Sequence, residues 1–170
     1  MQRYWVSVGI VLAILTTALW ATASPPASEP PSSIAEARRQ AELLHIAIHA
    51  TLHVVHHEYY REDQGLAIPA AVMQDVFQGL KRDGGVTLRW LAVEGTAMNV
   101  EHLARTPFER ETVKQFLAGK TAHEEFESGV YRRAGAITLT AECLKCHVPD
   151  RKNTRDRRAG LIIEIPIDVK

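Results

Sequence analysis

The 170-residue sequence predicts a single α+β domain, because helical periodicity fills the front of the chain, strand-like alternation fills the back, and the connections are too short for repeated crossover helices. That order favours an antiparallel sheet with helices packed on it. With 46% hydrophobic and 24% charged residues the composition is that of an ordinary globular domain. Lys and Arg number 20 against 20 Asp and Glu, so the formal net charge is zero. This balance argues against a nucleic-acid binder, which usually carries a basic excess. Ten Gly and eight Pro exclude collagen-like and low-complexity chains, and no repeat occurs at solenoid periods.

The first residues read as an export signal. Met1, Gln2 and Arg3 make a short cationic start, Val6 to Trp20 is almost wholly apolar, and Ala21-Thr22-Ala23 has the small residues a signal peptidase requires. The apolar run is about 15 residues against the roughly 20 that span a bilayer, so a cleaved signal over 1–23 is expected rather than a permanent anchor. Residues 24–33 (SPPASEPPSS) are rich in Pro and Ser and read as a linker. The domain proper is expected over 34–170, in a periplasmic or otherwise extracytoplasmic protein that meets a membrane only if the signal stays uncleaved.

Within that domain a long helix is predicted from Ile34 to about Tyr60. Ser32 or Ser33 can cap it, with Glu36 completing a capping box, and no Pro or Gly interrupts it before Gly65. A second helix runs from Pro69 to Lys81, burying Val72, Met73, Val76, Phe77 and Leu80, and Asp83-Gly84-Gly85 stops it. Val86 to Val93 alternates as a strand with Val86, Leu88, Trp90 and Ala92 on one face. Thr106-Pro107-Phe108-Glu109 is a second capping box, opening a helix that reaches Ala118 before Gly119. Strands are expected over Val130–Leu139 and Leu161–Ile167.

The chain's two cysteines fall together in Cys143-Leu144-Lys145-Cys146-His147. In a CxxCH sequence each thiol can add across one vinyl group of a haem, and the adjacent imidazole reaches the iron from the same side. Cys143 and Cys146 are thus candidate thioether anchors and His147 the proximal ligand of one covalent haem c. Export fits, since haem is attached to such motifs outside the cytoplasm. A structural disulfide or a redox-active CxxC pair is the alternative. Zinc would need a second ligand pair, for which no cysteine exists.

The chain resembles a PAS-like c-type haem domain family, a domain of unknown function found as small exported mono-haem proteins and as the input domain of some bacterial sensor histidine kinases. The resemblance is carried by Asn99, Pro107-Phe108-Glu109-Arg110-Glu111 with Phe116, Val130-Tyr131-Arg132 leading to Ala136-Ile137, the CxxCH motif, and a closing Ala159 to Pro166. These span about half the chain, from Val86 to Ile167. The resemblance implies a PAS-like antiparallel sheet behind a long N-terminal helix, with the haem packed against the sheet. Two departures stand out. Val148-Pro149 follows the motif where relatives often have Gly. Some relatives also supply a cysteine as sixth iron ligand from the segment after the first helix; the nearest counterpart here by position is Met73.

Histidine placement offers a rival to Met73. At 100° per residue, His49, His53 and His56 fall within about 80° of His45, forming one imidazole stripe that borders the buried face of the first helix. His56 ranks first as distal ligand and His53 second, because both lie near Tyr59 and Tyr60, which could cover a porphyrin edge. Met98, His102 and His123 are weaker candidates. The bland alternatives are boundary histidines and, for Met73, core filling. Between Asp150 and Arg158, five cations face two anions. They can pair with propionates or an acidic partner, or simply form a solvated loop.

These residues lead to an exported mono-haem cytochrome-like protein that passes single electrons or reports redox state, with no catalytic residue required. The competing class is a haem-based gas or redox sensor acting through a separate partner protein. A small peroxidase is a third, with no spacing that singles out its acid-base residues.

Overall fold

The computed structural model describes residues 29–148 and 151–168. The expected export signal over 1–23 and the first half of the Pro/Ser segment, 24–28, lie outside the described residues. Among the described residues no helix is long and apolar enough to cross a membrane.

Four strands form one antiparallel sheet in the order β1-β4-β3-β2, from β1 (Thr87–Ala92), β2 (Ala122–Glu127), β3 (Val130–Leu139) and β4 (Arg157–Pro166). The two ten-residue strands pair in the centre, Tyr131 opposite Ile165 and Gly135 opposite Leu161. Alternation then sends successive side chains to opposite faces. One face carries Leu88, Trp90, Tyr131, Ile137, Leu161, Ile163 and Ile165, covered by α1 (Ile34–Val54) and α2 (Pro69–Gly84) through Ile48, Met73 and Phe77. The other carries Leu91, Ala134 and Ile162, closed by Phe108 and Phe116 of α3 (Pro107–Leu117). The protein is therefore the α+β, PAS-like sheet with a long N-terminal helix that the sequence predicts.

Local chemistry explains most of the boundaries. Ser33 Oγ accepts from the Glu36 amide at 3.2 Å while Glu36 accepts from the Ser32 amide at 3.0 Å, fixing the start of α1. Gly85, at φ 69°, takes the left-handed conformation that ends α2. Thr106 and Glu109 form the reciprocal capping box of α3.

Five features depart from the sequence expectation, the first being that Val72 and Val76 of α2, expected in the core, are exposed. The first helix is α-helical only to Val54; Val55–Tyr59 form a π turn closed by Tyr60 N to Val55 O at 3.0 Å. The adjacent β-branched Val54 and Val55 weaken helix propensity at that point. The edge strand β2 has no expected counterpart because its AHEEFE sequence holds three acids; Glu124 and Glu125 pair instead with Arg133 and Arg132 of β3. A tight turn at Ser128 and Gly129, both at positive φ, joins the two strands. β4 begins at Arg157 rather than Leu161, since the Arg158 guanidinium donates to the Phe116 carbonyl and its amide to Glu94, which lets charged residues start a strand. Finally, the end of the Pro/Ser segment is anchored: Pro31 is buried and its carbonyl accepts from the Asp168 amide at 3.1 Å.

Candidate cofactor site

β3 runs directly into the CxxCH segment. Leu144 N bonds to Thr140 O at 3.1 Å and His147 N to Cys143 O at 3.1 Å, so the segment closes into the short helix α4 (Leu144–His147). Cys146 is its third residue. Leu144 is fully buried and seats this turn on the core. Arg151 adds a tie from the other side, donating to the Leu144 carbonyl at 3.1 Å. The Cys143 sulfur lies 3.6 Å from the Thr140 hydroxyl.

His147 is shared by two cavities. The larger, about 310 Å³, is walled by Leu52 of α1, Ile68, Ala70 and Ala71 at the start of α2, Trp90 and Ala92 of β1, and Ile137 and Leu139 of β3. Its polar lining includes His102, Asn99, Gln74 and Glu94 as well as His147. Trp90 donates its indole N–H to the Ala70 carbonyl at 3.0 Å, which holds the start of α2 at the cavity wall. The smaller, about 100 Å³, is lined by His49, His53, His56 and His57 together with Cys143 and His147. The imidazoles along the first helix pair in sequence, His45 with His49 at 5.9 Å, His53 with His57 at 6.4 Å, and His56 with Tyr60 at 5.0 Å between ring centroids.

Burial pushes the His147 imidazole below its ordinary value, and the charge of nearby His56 adds to that. Neutral imidazole is the form that binds a metal. His102 is lowered by burial first, then by Arg89 and His147. His49 and His56 are lowered by burial, with a smaller effect from His53. His45 goes further, to about 4, through burial and the charges of His49 and Arg133.

The predicted site residues divide accordingly. Cys143, His147, His53 and His56 meet at the smaller cavity. Met73 is buried in the core among Phe77 and Trp90 and lines neither cavity. Met98 and His102 line the larger one. His123 stands on β2, stacked on Phe108 at 4.9 Å, and lines neither. The basic segment is largely engaged internally: Arg155 and the Arg158 amide bond to Glu94, Arg157 to Asn153 and nearby carbonyls.

Sequence reasoning did not single out Arg89. From β1 its guanidinium donates to the carbonyls of Glu101 and of Leu103, the latter at 2.6 Å, and to the Glu109 carboxylate at 2.5 Å. Asn99 Oδ1 accepts from the Glu101 amide at 2.9 Å. The 3₁₀ turn Val100–His102 is thereby held from both ends. The signal was a charged residue in the middle of an otherwise apolar strand, which needs a fixed partner.

The family model Tll0287-like matches residues 31–162. The crystal structure of the cyanobacterial haem protein Tll0287 aligns with a TM-score of 0.50 at 19% sequence identity, over 81% of this chain and 94% of that one. No curated protein matches. With the family match running from the residues before α1 into β4, the chain belongs to the Tll0287-like family.

Proposed function

We propose that this protein carries one haem c, attached through thioethers to Cys143 and Cys146 with His147 as an axial iron ligand. The observation that carries this reading is the joining of a CxxCH segment to an apolar cavity of about 310 Å³ through the same imidazole. Donor chemistry also fits. Among the described residues no three His, Cys, Asp or Glu side chains gather as a cage for a bare ion. A porphyrin provides its own equatorial nitrogens and asks the protein only for axial ligands and a dry wall. The solved structure it resembles is of a haem protein.

When bound, the haem would supply one-electron redox chemistry. The chain's own residues do the rest. Leu144 and Arg151 fix the attachment turn, burial favours the neutral form of His147, and Trp90, Ile137 and Leu139 give the cavity an apolar wall. The role that follows is single-electron transfer or redox sensing in an exported protein, working with a separate redox or signalling partner. Pyridine haemochrome spectra of protein made with a cytochrome c maturation system test the reading. The wild type should give a bis-thioether c-type spectrum, and Cys143→Ser combined with Cys146→Ser should lose covalent haem. A wild type without haem absorbance would overturn it.

A further inference from the structure

The helix α1 carries apolar residues on two opposite sides. Ala37, Ala41 and Ile48 are buried against the sheet. At about 100° per residue, Leu43, Ala47, Ala50 and Val54 fall within about 100° of Ile46, on the side away from those three. Leu43 and Ile46 are each 62% exposed and Val54 is 52% exposed. Single exposed hydrophobics are normal on a protein surface, whereas a continuous stripe along one helix marks a contact.

The two ends of the stripe differ in charge. Arg39, about one turn before Leu43, is exposed. Glu58, about one turn after Val54 and within the π turn, has a side chain 63% exposed. Neighbouring Arg38 is used within the chain, paired with Glu124. A second copy of the helix, turned about a two-fold axis between Ala47 and Ala50, runs antiparallel to the first. Leu43 of each copy then faces Val54 of the other, the alanines let the backbones approach, and Arg39 meets Glu58 at both ends. A parallel pair would set Arg39 against Arg39 and Glu58 against Glu58. The stripe therefore complements itself in one direction only, as a two-fold interface requires. A second exposed run, Ile68, Val72 and Val76 on α2, lacks this match, since its first turn has no acid and its last turn has Lys81 and Arg82.

We propose that the outer face of α1 is a dimer surface, on which a second copy of this chain packs its own α1 antiparallel. The stripe is about 17 Å long, so the interface is at the small end of the range and association is reversible.

Analytical ultracentrifugation of the exported chain over a concentration series tests this. Wild type should pass from monomer to dimer as concentration rises. Ile46→Glu should stay monomeric with an unchanged circular dichroism melt, and Val76→Glu on α2 should dimerise as wild type does. Arg39→Glu alone and Glu58→Arg alone should each weaken association about tenfold, and the two together should restore it, which a purely apolar contact would not do. A wild type that is monomeric at every concentration, its stripe then being free or covered by residues 1–28 or by a different protein, would overturn the proposal. A dimer that survives Ile46→Glu, or a charge swap that recovers nothing, would overturn it equally. Failure here leaves the cofactor reading intact, and pyridine haemochrome spectra of the same samples report on that reading separately.

Discussion

Gly135 on β3 leaves the space that the His45 ring of α1 occupies: a Cβ placed on Gly135 would lie 2.3 Å from His45 Nδ1. The long helix comes down onto the sheet here because one strand residue has no side chain, and it is at such points that the cavity-lining end of α1 is set. Contacts below 3 Å force the ring or the helix to move.

Gly135→Ala should therefore destabilise the fold by about 1–3 kcal/mol through overpacking. Denaturant unfolding measures it. The double variant with His45→Ala should recover much of the loss, since the ring is what the new methyl meets; strict additivity would show that the clash is elsewhere.

His45 also predicts a pH dependence. Its pKa in the fold is about 4 against an ordinary 6.5, lowered by burial and by the charges of His49 beside it and Arg133 beneath it. Between these values the unfolded chain takes up a proton that the folded chain refuses. Stability should then fall as pH drops from about 6.5 towards 4, by about 1 kcal/mol once partial exposure is discounted. His45→Phe should flatten this stretch of the stability profile relative to wild type, and an unchanged slope would contradict the assignment.

Glu109 serves two structures at once. It accepts from the amides of Arg105 at 2.5 Å and Thr106 at 3.0 Å at the start of α3, and it holds the Arg89 guanidinium. Glu109→Gln keeps the size but turns a donor towards donors, so a loss of about 2 kcal/mol is expected. Glu111→Gln, at a half-exposed carboxylate, should cost less than Glu109→Gln, and thermal unfolding of the pair makes the comparison.

Much of this fold is legible in the sequence, and the exceptions have a common cause. Ser33, Pro69, Gly85 and Thr106 mark helix ends through local hydrogen bonds and backbone preferences, which neighbouring residues alone decide. β2 and the first turn of β4 were hidden because their charged residues are satisfied by partners far along the chain, Glu124 by Arg38 and Arg133, Arg158 by Phe116. The site shows the same division. CxxCH is contiguous and therefore visible. The cavity joins α1, α2, β1, β3 and the His102 turn, and only the folded arrangement shows that His102 lies on its wall whereas Met73 faces the core. The imidazole stripe is visible as a helical pattern, and the fold adds that its His49, His53 and His56 line one cavity with Cys143 and His147.

The most direct measurement is the intact mass of the mature chain made in a host that attaches haem to exported CxxCH motifs. The account predicts polypeptide plus one haem that survives denaturation, returning to polypeptide mass when Cys143 and Cys146 are both replaced by Ser. Bare wild-type polypeptide from a host that loads a control cytochrome in the same culture would contradict it.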